Sequence, residues 1–354
     1  MDSRIVEHAK TLVNYCTGVQ RGDHVLIDLR GIEGFELATE IFKEVARLGG
    51  HPLITALPLE GARALVDIMP IEELPICTPQ HFLEALKASN VHIIISSPAN
   101  TRTLENVDSA RMRMFQKAMA PLSKEQLKKR WNVTVHPTNG LAQEAGMSLT
   151  EYEDFAYSAM NREWHVEIER MKKLKSLMDK TAQVRLLGED TDLSFSIRGR
   201  TSLIDDAKVN LPGGEVFTAP VDDSATGTIY FDVPAIYAKE VTEVRLTFEK
   251  GVIVKYSATK NESYLKEMIE TDDGSNRLGE FGIGTNRGIN RFTKSILFDE
   301  KMAGTIHLAI GNAYAECGGV NKSAVHWDMI KTMKPGKIVM DGEPVQVDGK
   351  FLWE

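Results

Sequence analysis

Val91-His92-Ile93-Ile94-Ile95-Ser96-Ser97 is a β-branched run that reads as buried on both faces, as parallel strands usually are. Upstream, Val25-Leu26-Ile27-Asp28-Leu29 is a second short apolar run, entered through a Gly-Asp turn signal. Phe35–Leu48 follows with apolar residues at helical spacing, and Gly49-Gly50 stops it. Leu53–Leu57 and Trp131–Val135 read as further strands, with Gln80–Ser89 and Ser123–Lys129 as helices between strands. Strands alternating with helices predict an α/β N-terminal domain, a mostly parallel open sheet with helices on both faces. This half lacks GxGxxG after its first strand and lacks GxxxxGK[ST], so nothing supports nucleotide binding through those loops. Gly31 and Gly34 read as turn residues, and the sheet as a scaffold.

Past that half the pattern changes. Ser148-Leu-Thr-Glu151 has the spacing of a capping box and opens a helical stretch that runs to about Met178. Beyond Thr181 the chain turns β-rich. Gln183–Leu187, Asp192–Ile197, Thr228–Asp232, Glu243–Glu249 and Val252–Ala258 are candidate strands, joined by Gly-, Asp- and Asn-rich turns. Lys337–Met340 and Val345–Val347, each followed by Asp-Gly, read as closing hairpins. The expected division is an α/β scaffold domain over 1–182 and a β-rich α+β metal-binding domain over 183–354.

The whole chain of 354 residues carries a net charge of −8, which argues against a nucleic-acid or anionic-membrane surface, since phosphates call for clustered Lys and Arg. Lys128-Lys129-Arg130 is read as a solvated helical face. The three cysteines, Cys16, Cys77 and Cys317, stand far apart with no CxxC spacing, as expected of reduced thiols in a cytoplasmic protein. The N-terminus carries charges throughout and lacks the apolar core of a signal peptide. No apolar run approaches the roughly 18 residues of a membrane span.

The chemistry is concentrated in 213–328. Glu215 stands in GGEVFTAP, Glu280 in LGEFGIGTN, His307 in TIHLAIGNAY, and His326 with Asp328 in AVHWDMI; Glu300, in LFDEK, lies just before the first of these histidines. Taken singly, each has an ordinary explanation. Glu215 and Glu280 could be surface turn carboxylates, His307 a core histidine bonded to a carbonyl, and His326-x-Asp328 a polar strand face. In a strand, however, residues two apart point to one side, so His326 and Asp328 can converge on one ion. Asp328 also lies among apolar neighbours and needs a partner if buried. The glycines before Glu215 and Glu280 suggest unusual torsions or a close approach to a ligand. Together, three carboxylates and two imidazoles are what a pair of Zn, Co or Mn ions needs, with one carboxylate bridging. Such a bridge holds the ions roughly 3.5–4 Å apart around a shared water that ionises near neutral pH. The pair would also polarise a scissile carbonyl and anchor a free amine, which suits an exopeptidase acting at an N-terminus.

In their order and approximate spacing, Glu-Val-Phe-Thr, Leu-Gly-Glu, Leu-Phe-Asp-Glu, His-Leu-Ala-Ile-Gly with Tyr314 seven residues after its His, and His-x-Asp resemble the thermophilic-type metallo-aminopeptidases, the family of aminopeptidases T and S. The similarity runs through most of the chain, including Trp131 leading to His136-Pro137-Thr138, where the family often has Tyr-Pro-Thr. The resemblance implies that Glu215, Glu280, His307, His326 and Asp328 bind two divalent ions, with Glu280 a candidate bridge and Glu300 a further acidic position. It implies that Tyr314 hydrogen-bonds the oxyanion of the tetrahedral intermediate; without it, Tyr314 reads as a loop aromatic with its hydroxyl in solvent. Glu316 is a candidate for proton transfer. A peptide with a free N-terminus as substrate and a homodimer as assembly are also implied.

The sequence departs from the family pattern in places. The chain is shorter than the familiar members, and the segment from His307 to His326 is compressed around Cys317-Gly318-Gly319-Val320-Asn321. Two extra residues lie between Leu-Phe-Asp-Glu and the first His, and Gly214 stands where many relatives have a carboxylate. The 2,5-dihydroxypyridine ring-cleaving dioxygenases, which use one iron, share the architecture and the His-x-Asp pair. They do not preserve the Glu, Glu, His set that this chain keeps at 215, 280 and 307. A non-catalytic metal-binding relative is the third alternative.

Overall fold

Residues 2–56 and 58–353 are described by a computed structural model. Contacts divide the chain into one unit of Met1–Arg162 with Ala207–Pro212, and another of Glu163–Asp206 with Gly213–Glu354. In the first, five parallel strands form a sheet in the order His51–Ala56, His24–Arg30, Val91–Ser96, Arg130–Val135, Asn210–Leu211. Val91–Ser96 is the central strand and is buried through Ile95, as its β-branched residues predict, with His92 buried among them. The helix Phe35–Arg47 buries Leu37, Ala38, Ile41 and Val45, and Gly49 follows at φ 79°. Leu57, the last residue of one expected strand, lies outside the described residues. The helix expected at Ser123–Lys129 is the end of a longer one, Ser109–Gln126, which buries only Ala118 and so shows little periodicity. Glu125 pairs with Lys128 and Lys129, and Asp23 with Arg130, which neutralises much of the basic run.

The second unit carries two antiparallel sheets. One has eight strands in the order Val252–Ser257, Val244–Glu249, Thr226–Phe231, Thr191–Ser196, Gln183–Gly188, Gly336–Met340, Glu343–Val347, Lys350–Phe351. The other has five: His326–Thr332, Thr305–Gly311, Leu278–Gly284, Glu215–Thr218, Leu203–Asp205. One core joins them, with Leu186, Leu193, Phe195 and Phe231 from the larger sheet and Phe281, Ile306, Leu308, Trp327 and Met329 from the smaller. The rings of Phe195 and Phe281 meet edge to face at 5.0 Å.

The helical stretch opened by the Ser148–Glu151 capping box is two helices, Leu149–Met160 and Trp164–Met178, parted at residues 161–163. The second helix buries Met171, Leu174 and Met178 in the core of the second unit. The contact division therefore falls at Arg162 and Glu163, ahead of the change in composition at residue 182. Asn161 ends the first helix, a weaker stop signal than the glycine or proline that is absent there.

Candidate metal centre

Period-two alternation on the five-stranded sheet decides which side chains meet. Phe281 and Ile283, Ile306 and Leu308, and Trp327 and Met329 point into the core. Their neighbours Glu280, His307, His326 and Asp328 are thereby turned to the opposite face, and Glu215 joins them from a strand whose Val216 faces the core. Glu215 and Glu280 are strand residues rather than turn carboxylates, and both are buried.

The donors fall into two groups that share one member. Glu215, Glu280 and His307 form one, and Glu280, His326 and Asp328 the other, with donor atoms in each group within 4.8 Å of one another. His307 Nε2 lies 3.1 Å from Glu215 Oε2 and 3.5 Å from Glu280 Oε1. His326 Nε2 lies 3.1 Å from Glu280 Oε2 and 3.6 Å from Asp328 Oδ2. Glu280 thus turns one oxygen toward each group. On the far side of each ring, His307 Nδ1 donates to the Glu300 carbonyl at 3.1 Å and His326 Nδ1 to the Asn312 carbonyl at 2.8 Å. Backbone acceptors of this kind fix the tautomer and aim Nε2 at an ion.

The electrostatics match a cation site. Burial alone would lower the His326 pKa, but Glu280 and Asp328 outweigh it and raise it to about 9. His307 is raised well above its ordinary value in the same way, against burial, by Glu215 and Glu280. Despite its burial, Glu280 is held down at about 2 by hydrogen bonds from both histidines. Asp328 is raised, first by burial and then by Glu280. Without ions the histidines serve as the counter-cations, so ion binding at neutral pH releases protons. Asp328 Oδ1 is buried with no hydrogen-bond partner among the described residues, and Glu215 Oε2 meets the imidazole of His307 at 3.1 Å. Carboxylate oxygens placed in this way beside oriented imidazoles fit a divalent ion.

Glu300 belongs to neither donor group. It follows the short helix Ile296–Asp299, and its carboxylate pairs with Lys301. Burial first, then Glu215 and Asp328, push its pKa up to about 8 against the pull of Lys301. The Tyr314 ring packs against Phe217 at 5.5 Å and edge-on to His326 at 5.2 Å. The residue is 41% exposed, while partial desolvation of its hydroxyl and the surrounding carboxylates raise its pKa, which keeps the phenol protonated. Glu316 is exposed in the turn Ala315–Cys317, on the rim of a cavity of about 780 Å³ that Asn312, Tyr314 and Val320 also line.

Sequence reasoning missed two neighbours of the site. Gly282 pairs with His307 across the ladder, and a Cβ there would lie 2.0 Å from His307 Nε2. The alternation Gly282-x-Gly284 inside a strand is a signal of close approach that could have found it. Lys301 is fully buried, and nothing local announces it, because lysines are ordinarily exposed.

Two overlapping carboxylate–imidazole groups, on the face of a β-sheet turned from its apolar core, have the donor set of a metal-binding site. The chain belongs to the thermophilic metalloprotease family (M29), whose profile matches residues 1–351. It is an enzyme, a hydrolase of the peptidase class, as the order of its motifs implied. Aminopeptidase AmpS of Bacillus subtilis (strain 168) is 27% identical over 414 aligned residues, covering 100% of both chains. Aminopeptidase 2 of Geobacillus stearothermophilus is 34% identical over 169 residues, 41% of this chain and 40% of that one. Among solved structures, wild-type AmpT from Thermus thermophilus superposes with a TM-score of 0.86 at 21% identity, covering 99% of each chain, a likeness of fold.

Proposed function

We propose that the protein is a metallo-aminopeptidase that holds two divalent ions, one at Glu215 and His307, the other at His326 and Asp328, with Glu280 bridging them. One observation carries this: Glu280 directs Oε1 to the first group and Oε2 to the second. Two bound ions would supply Lewis acidity toward a peptide carbonyl and a water that ionises near neutral pH. The chain's own residues supply the rest. The carbonyls of Glu300 and Asn312 hold the two imidazoles in register with the carboxylates. Tyr314 presents a neutral phenol that donates to the oxyanion as it develops. Glu280 has both oxygens committed and is a bridge, not a free base. Glu300 stands behind the centre, on Lys301. Glu316, on the cavity rim, is the candidate for proton transfer. A peptide with a free N-terminus, a cytoplasmic setting and a homodimer belong to the same proposal.

The test is the divalent-metal content of the purified chain together with release of p-nitroaniline from Leu- or Ala-p-nitroanilide in the presence of Zn, Co or Mn. The expected result is two ions per chain and turnover abolished by chelators. One ferrous ion with oxygen uptake on a dihydroxypyridine would sink the proposal. Retention of Glu215, Glu280 and His307 together disfavours that chemistry. Two ions with no turnover on any N-terminal residue would leave a metal-binding relative without activity.

A further inference from the structure

We infer that Lys301 is a positioning residue for the ion pair: its ammonium takes one oxygen of Glu215, so that this carboxylate meets its ion through the other oxygen alone. The inference rests on the two-ion reading above. Lys301 is fully buried, with Nζ 3.4 Å from Glu215 Oε1 and 3.5 Å from Asp205 Oδ2, and it also pairs with Glu300. A buried lysine needs a partner, but one would suffice; here three carboxylates surround it. The other oxygen of Glu215 lies 3.1 Å from His307 Nε2, on the ion side. The two oxygens are thus divided between a fixed cation and the place of an exchangeable one. A carboxylate free at both oxygens could instead chelate with both.

The anchor is itself held. The Lys301 carbonyl accepts from the Asn286 amide at 2.9 Å, and the Asn286 side chain donates to the Gly213 carbonyl, also at 2.9 Å, two residues before Glu215. The clamp and its carboxylate therefore share one backbone frame.

The test compares wild type with Lys301→Met and Lys301→Gln, reconstituted with Co(II). Dissociation constants come from chelator competition, and coordination number from the visible absorption of the bound cobalt. Loss of a neighbouring cation would by charge alone tighten ion binding, whereas loss of a clamp loosens it. We expect Lys301→Met to bind one of its two ions about 10–100-fold more weakly, as removal of an outer-shell partner does, and to keep the other within about threefold. Its cobalt bands should lose intensity as Glu215 chelates with both oxygens and the coordination number rises. Unchanged or tighter binding of both ions would overturn the inference. If circular dichroism shows that Lys301→Met does not fold, Lys301→Gln decides: binding weakened by more than about threefold supports the clamp, and unchanged or tighter binding refutes it. A wild-type chain that takes one ion would sink the two-ion reading, and the effect of Lys301 on that ion's affinity would still decide the clamp.

Discussion

Replacing Gly282 by Ala puts a methyl group where His307 already stands. The added Cβ would lie 2.0 Å from Nε2 and 2.1 Å from Cε1 of the ring, and ordinary contact begins near 3.4 Å. About 1.4 Å of separation must come from the ring, the strand or both. The strand has little to give, because it pairs on both edges, with Glu215–Thr218 and with Thr305–Gly311. The ring is tied through Nδ1 to the Glu300 carbonyl and is fully buried. Gly282 has no left-handed torsion, so alanine meets no backbone penalty, and the cost is steric alone. Overpacking of this kind destabilises by about 1–3 kcal/mol, and a misplacement of about 1 Å at a catalytic centre costs on the order of 10²-fold in rate. Gly282→Ala should therefore fold with a modestly lowered Tm, bind the Glu215/His307 ion weakly, and lose about two orders of magnitude in kcat/KM. Chelator competition, turnover on Leu-p-nitroanilide and thermal melting measure the three quantities. Wild-type ion affinity together with kcat/KM within about threefold of wild type would refute the placement of the His307 ring over Gly282.

His307→Ala should abolish turnover while circular dichroism and fluorescence report an intact fold; full activity would remove the proposed centre. Tyr314→Phe should lower kcat by about 10²–10³-fold with metal content unchanged, and a smaller loss than about threefold would take the phenol out of the oxyanion site. Strong chelation should lower the Tm, since an ion at a hundred times its Kd adds about 2.7 kcal/mol to the folded state, and an unchanged Tm would argue against native-state ion binding. Acid should weaken the first unit: burial lowers the pKa of His8 to about 3 and of His136 to about 4, so the unfolded chain takes up these protons first. Stability is then full above pH of about 6.5 and falls by about 1.4 kcal/mol per pH unit for each histidine down to about pH 4. Urea midpoints across that range measure the slope, and an unaltered slope in the His8→Asn, His136→Asn double variant would place the acid sensitivity elsewhere.

The parallel sheet was legible because Val91–Ser96 and His24–Arg30 are buried on both faces and mostly apolar; the polar exceptions, Asp28 and His92, are buried 3.7 Å from each other. Residues 161–163 were passed over because Asn161 is only a weak stop signal and the helical pattern resumes at once in Trp164–Met178, which packs into the core of the second unit. At the site, side-chain chemistry pointed to Glu215, Glu280, His307, His326 and Asp328, and strand alternation turns all five to one face. Lys301 was beyond reach: its burial depends on Asp205 and Glu215, distant in sequence, arriving on the same side of the sheet. Glu300 is the converse case. Its motif brought it to the site, but the residue next to it, Lys301, takes its carboxylate.

The ladder registers explain the small residues of the motifs around Glu280 and His307. Across the ladder, His326 is paired with Gly311, Asp328 with Ala309, and Glu280 with the same Ala309. His307 is paired with Gly282, and Glu215 with Gly284. On one edge of its strand each of the five donors thus faces a glycine or an alanine, while on the other edge His307 faces Ile330 and Glu215 faces Asp205. Directly opposed side chains on an antiparallel pair sit only about 4.5–5.5 Å apart at Cβ, so a small residue opposite a donor leaves it room to lean toward the donors of neighbouring strands. Ala309 shows this most directly, lying between Glu280 and Asp328 in one row of three strands. Gly282 and Gly284 of LGEFGIG, and Ala309 and Gly311 of HLAIG, therefore lie on the same face of the sheet as the donors. The sequence shows them plainly, but their purpose follows only once the register is known.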